Sequence, residues 1–175
     1  MTNNGPEISV TGTSPDAITL PATTLCAGTG SGALLALAEP LSFWGGTDRR
    51  TGEIIDTHHP QRGTLLSGRV LLMAASRGSS SSSSVLAEQL RAGVGPSAIV
   101  ISARDAIVCL GVLAAAELYG CQTPVVLLTQ ADADTLGRSA VPAHVSVTAA
   151  PDGSAAVVLT LKIQGLPKPQ TLGHP

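Results

Sequence analysis

Apolar residues fall in short dense runs separated by glycine, proline and serine. Residues 17–26 (AITLPATTLC) predict a strand interrupted at Pro21. Gly28-Thr-Gly30-Ser-Gly32 predicts a permissive turn. The run at 33–38 (ALLALA), closed by Glu39-Pro40, is too short for a helix and predicts a buried strand. Residues 67–74, 97–101 and 124–128 predict three more. In 85–93, Val85, Leu86 and Leu90 oppose Glu88 and Arg91, the pattern of a short amphipathic helix ended by Gly93. Ser102-Ala-Arg-Asp105 resembles a capping box. It opens a helix at 105–119 with Ile107, Leu110, Ala114 and Leu118 on one stripe and Gly120 as its stop. Residues 143–149 and 155–163 alternate like exposed strands around the turn Pro151-Asp-Gly-Ser154. The middle therefore reads β–loop–α–β–α–β. That predicts an α/β domain with a mainly parallel central sheet, flanking helices and additional β structure.

At 175 residues the chain is the size of one domain. We expect a flexible N-terminal arm at 1–15, a single domain at 16–165 and a flexible tail at 166–175. Charged residues are only 13% of the chain, half the usual share, which leaves little charge for a free surface and points to a covered face. The net charge is −2, and the only lysines are Lys162 and Lys168. Without a basic stripe, nucleic acid and anionic membrane are poor partners. Cys26, Cys109 and Cys121 are odd in number, widely spaced and form no CxxC, so they read as structural thiols in a reducing compartment. The polar start and the lack of a long apolar stretch lead to an expected cytoplasmic location.

Two segments carry candidate chemistry. Ser76-Arg77-Gly78 leads into six serines, Ser79 to Ser84. Such a run alone is a flexible linker. Here it joins a predicted strand to a predicted helix, where unpaired amides and the helix dipole gather to bind an anion or stabilise an alkoxide. Ser79 is then a candidate base and Arg77 a candidate supporting cation. The run lacks the lysine of a P-loop and the spacing of a nucleophile elbow. Both the linker and the anion site stay open on the residues alone. The second segment, 41–66, is long and irregular, and a compact domain rarely carries such a stretch without a use for it. It holds Ser42-Phe43-Trp44-Gly45-Gly46, then Asp56 and His58-His59-Pro60. Adjacent histidines in extended chain point to opposite sides, so they do not form a ligand pair and we expect no metal on this chain.

The segment from GALLALAEPLSFWGGTDRRTGEIIDTHHPQRGTLLSGRVLLMAASRGSSSSS through VLAEQLRAGVGPSAIVI and LAAAELYGCQTPVV resembles the small swivel-domain subunit of the aconitase X family. PLSFWGG, D-x-x-H-H-P and RGSS carry the resemblance, which covers roughly 31–130. It implies the aconitase-type swivelling β/β/α fold and a hydro-lyase active only with a large catalytic subunit. That subunit is expected to hold the iron or iron–sulfur centre. By the resemblance, Ser79 is the proton acceptor. Arg77, Gly78 and Ser80 shape the anion pocket, and Ser42, Phe43, Trp44, Gly45 and Gly46 line the closing face around a small carboxylate substrate. Two activities are known in the family. One is dehydration of cis-3-hydroxy-L-proline to Δ1-pyrroline-2-carboxylate, the first expectation here, and the other is dehydration of phosphomevalonate. A swivel module that binds anions without catalysis is a third possibility, supported by Ser76, which stands where the family pattern has glycine.

Overall fold

The computed structural model describes residues 17–139 and 143–161. The expected arm at 1–15 and tail at 166–175 lie outside them. Seven strands are present: β1 (Ala17–Cys26), β2 (Gly28–Ala36), β3 (Arg69–Met73), β4 (Ala98–Ile101), β5 (Val125–Leu127), β6 (Ala143–Ala149) and β7 (Ser154–Leu161). The helical elements are α1 (Phe43–Gly46), a single irregular turn, and α2 (Ser82–Arg91), α3 (Ala106–Tyr119) and α4 (Gln130–Gly137).

The strands close into a barrel in the order β1-β5-β4-β3-β2-β6-β7. The run β2-β3-β4-β5 is parallel, and the four remaining pairings are antiparallel. The α/β class and the parallel middle stand as expected from the sequence. The additional β structure does more than flank the sheet: β6 and β7 bridge β2 to β1 and complete the closure. β1 and β7 pair from Ala17↔Thr160 to Thr23↔Ser154.

Burial follows from this closure. Strands buried on both faces read as continuous apolar runs. Val70, Leu72, Ala98, Val100 and Val126 face the barrel interior, where Val145, Val147, Val157 and Leu159 meet them and Ala133 and Leu136 of α4 join. The alternate residues Leu71, Met73, Ile99, Ile101 and Val125 pack outward against Leu86 and Leu90 of α2 and Val108, Val112 and Ala115 of α3. No helix among the described residues is long and apolar enough to cross a membrane.

Several local expectations are corrected. Pro21 does not interrupt β1: it sits in register opposite Ala156. Residues 28–32 are strand, not turn. Their glycines serve close approach. A Cβ on Gly30 would stand 2.0 Å from the Ser97 carbonyl oxygen, and one on Gly32 would stand 2.1 Å from that of Gly68. β6 and β7 are not exposed strands, since each buries one face in the barrel. Asp105 alone caps α3, its carboxylate accepting the amides of Ile107 and Val108, with no capping role for Ser102. The expected buried stripe of α3 is turned outward: Leu110 is 57% and Leu118 70% exposed, while Val108, Gly111, Val112 and Ala115 face the core. Gly111 decides the rotation, because a Cβ there would lie 2.7 Å from the Ser83 carbonyl oxygen, so α2 and α3 touch along that line.

The close approach at β2 yields a prediction. Gly30→Ala should cost at least about 2 kcal/mol, the scale of overpacking in a well-packed structure. Denaturant unfolding checks this, and an unchanged midpoint would show that β2 is not pressed against the Ser97 carbonyl.

Candidate active site

The chain leaves the barrel at the carboxyl end of β3 and runs through 74–81 into α2. This turn is built from both sides. Asp105, buried at the start of α3, accepts the Ser76 amide and hydroxyl on one oxygen and caps α3 with the other. Burial alone would raise its pKa. The Ser76 hydroxyl and the amides of Val108, Ser76 and Ile107 outweigh burial and hold the carboxyl below its usual range. Ser76 fits here without a positive φ, and its hydroxyl adds a bond that glycine lacks. On the other side, the Arg77 amide donates to the Leu41 carbonyl oxygen.

Gly78 follows in the left-handed region, at φ 96°, and a Cβ there would lie 2.8 Å from Ser42 Oγ. Both facts require glycine. Ser79 is next and exposed; its hydroxyl oxygen accepts the Ser81 amide at 3.2 Å, and its carbonyl accepts the Ser82 amide. Ser80, also exposed, accepts the Ser83 amide and hydroxyl on its carbonyl oxygen. Among the described residues, the amides of Gly78, Ser79 and Ser80 meet no acceptor. The Ser79 hydroxyl therefore sits beside unpaired N–H groups at the mouth of a ten-residue helix. That setting favours negative charge.

The serine run is no loose linker. Ser82 is buried, its hydroxyl accepts the Trp44 amide at 3.1 Å, and it lies 3.5 Å from Ser42 Oγ. Ser42 in turn donates to the Trp44 carbonyl oxygen at 2.8 Å. The two expected segments thus meet side by side. Trp44 is 59% exposed, and Gly45 has open space where a Cβ would stand. One of the expected lining residues is corrected: Gly46 is buried, its carbonyl accepting the amides of Ile55 and Asp56, and it holds the loop rather than lining a pocket. Phe43 is wholly buried in the helix-side core, yet it still lines a cavity with Trp44, Gly45, Thr47 and Ile55.

Arg77 is committed to a partner: its guanidinium pairs with Asp56. The His58 amide, followed by Arg77 itself, holds the Asp56 carboxyl below its usual range. The segment is not extended as expected: a turn closed by the His59 amide on the Asp56 carbonyl oxygen separates the two rings, leaving His58 in solvent and His59 buried. His59 Nδ1 accepts the Gln61 amide, so Nε2 carries the proton and donates to the Glu39 carbonyl oxygen. Among the described residues, no three His, Cys, Asp or Glu side chains come together as a metal-ligand group. Hydrogen bonding between the Cys26 and Cys109 thiols, with burial, pushes Cys26 up, and the same bond holds Cys109 below its usual range.

Gln89 escaped the sequence reading. Its side-chain amide donates from α2 to Thr47 Oγ1 and the Asp48 carbonyl oxygen, both at 2.9 Å, and so fixes the segment after Trp44. A polar residue one turn after Val85 and Leu86, on the apolar stripe of α2, was the available sign.

Residues 19–155 match the family model described as the aconitase X swivel domain. The chain is 47% identical over 105 residues to cis-3-hydroxy-L-proline dehydratase of Pseudomonas aeruginosa, covering 60% of this chain and 18% of that protein. It is 38% identical over 88 residues to the phosphomevalonate dehydratase small subunit of Methanothermobacter thermautotrophicus, covering 50% of this chain and 67% of that one. The chain thus spans about a fifth of the length of the former. The fold matches a crystal structure of Thermococcus kodakaraensis aconitase X with a TM-score of 0.64 and 24% identity, over 80% of this chain and 98% of that one.

The Asp105 anchor gives a pH-dependent prediction. Its folded pKa lies below the unfolded value of about 3.9, so its stabilisation is present above that pH and is lost as pH falls through the folded value. Asp105→Asn keeps a helix cap but turns an NH2 toward the Ser76 amide. It should cost about 1–3 kcal/mol at pH 7. The gap to wild type should close well below pH 4, as measured by urea unfolding across pH.

Proposed function

The chain belongs to the aconitase X swivel-domain family, and from that premise we propose that it is the small subunit of a dehydratase, working in the cytoplasm with a large catalytic partner. The substrate is cis-3-hydroxy-L-proline, the compound named for the relative at 47% identity. The observation that carries this reading is the Ser79 hydroxyl beside the unpaired amides of Gly78, Ser79 and Ser80.

Dehydration removes a proton from the carbon next to the carboxylate and a hydroxide from the neighbouring carbon. The proton is weakly acidic, so its acceptor must be held in place and favoured in the charged form. Ser79 Oγ, as the alkoxide, takes the proton and becomes the hydroxyl. The amides beside it and the α2 dipole stabilise the oxygen that does so. The Arg77–Asp56 pair keeps a positive group at this turn while tying it to the 41–66 segment. Trp44 and Gly45 form the exposed edge that meets the partner. Among the described residues no three His, Cys, Asp or Glu side chains come together, and we assign an iron centre to the large subunit.

A second reading, phosphomevalonate dehydration, is favoured by one observation: the relative carrying that name is itself a small subunit, two thirds of which this chain covers. Substrate comparison on the reconstituted pair separates the two.

In the reconstituted complex, Ser79→Ala should lower kcat by about 10²–10⁴ while the subunits still co-elute on gel filtration. Near-full activity in that variant sinks the assignment of the base.

A further inference from the structure

A cleft of about 420 Å³ opens beyond the carboxyl ends of β2 and β3, the strand ends from which the Ser42 and Ser79 loops depart. Crevices outside the carboxyl ends of parallel strands are the usual ligand position in α/β sheets. Ala38, Ala74 and Ser102 line it on the strand side, and α4 forms the opposite wall with Gln130, Asp134 and Arg138.

The charges on that wall, Asp134 and Arg138, are exposed. Asp134 and Arg138 stand four residues apart, a spacing at which acid and base on a helix readily pair. They do not pair: the ion pairs among the described residues are Asp56 with His58 and Arg77, and Glu88 with Arg91. Asp134 Oδ1 accepts the Gln130 side-chain amide at 2.7 Å, which leaves Oδ2 open. Arg138 meets no carboxylate, and the half-buried Ser102 hydroxyl meets no partner among the described residues. An unpaired acid and base on one wall suit a ligand that brings the opposite pair. An α-amino acid does so, with its carboxylate toward Arg138 and its ammonium toward Asp134. A ligand with two anionic groups would set one of them against Asp134.

We propose that this cleft is a subsite for a zwitterionic amino acid, in which Arg138 and Ser102 bind the carboxylate and Asp134 binds the ring ammonium. The assignment rests on the dehydratase reading above and selects hydroxyproline over a phosphorylated acid. Arg138 and Asp134 are binding residues here, distinct from the proton acceptor Ser79.

The test uses the reconstituted complex. With cis-3-hydroxy-L-proline, Arg138→Gln and Asp134→Asn should each raise KM about tenfold or more and leave kcat within about threefold, the signature of lost binding common to ground and transition states. Arg138→Lys should recover part of the loss. Asp134→Asn should also narrow the gap in inhibition between L-proline and tetrahydrofuran-2-carboxylate, which lacks the ring nitrogen. Unchanged KM in both variants, with Ser79→Ala inactive, overturns the subsite and leaves the dehydratase reading intact. Should the complex fail to dehydrate hydroxyproline, calorimetry with L-proline decides the subsite alone. Binding abolished by Arg138→Gln supports it, and no binding to the wild-type complex overturns it.

Discussion

The Asp105 carboxylate is the interaction on which the site depends. One oxygen closes the first turn of α3, and the other holds the amide and hydroxyl of Ser76. The start of α3 and the turn after β3 therefore share a single buried anion. A buried carboxylate is costly unless fully hydrogen-bonded, and this one receives four donors. The turn it fixes sets Arg77 against Leu41 and Asp56, and Gly78 against Ser42. Position, more than residue type, distinguishes Ser79 from its five neighbours.

The second constraint is the closeness of backbone to backbone. Gly30, Gly32 and Gly111 each stand where a methyl group would overlap a carbonyl oxygen. They bring β2 onto the segments that lead into β3 and β4, and α2 onto α3. A barrel closed this tightly holds the carboxyl ends of its parallel strands in fixed relation. Loops leaving those ends inherit that precision, which an active site assembled from several loops requires.

Much of this was legible in the residues. Dense apolar runs at 67–74, 97–101 and 124–128 marked strands, and glycines at 93 and 120 marked helix ends. The meeting of the serine run with the Phe43–Trp44 corner was foreseen in kind, although the burial of Phe43 was not. What escaped has a common cause: it depends on partners far away in the chain. A glycine strand looks like a turn until Ser97 and Gly68 are seen beside it. The apolar stripe of α3 could be read, but which stripe faces inward is set by Gly111 against Ser83, and periodicity does not encode that. Closure by β6 and β7 was invisible because strands with one buried face alternate whether they lie on a sheet or complete a barrel. The Asp134–Arg138 wall lies beyond the stretch that carries the family resemblance, in a short helix with no motif of its own.

The antiparallel pairing of Ala17 with Thr160 places the beginning of β1 next to the end of β7. Any polypeptide extending from either strand departs at one spot on the barrel rim. A body tethered at a single point can pivot there as a rigid piece, with neither strand drawn out and little loop-closure entropy at stake. A join at that rim therefore asks nothing of the barrel's interior.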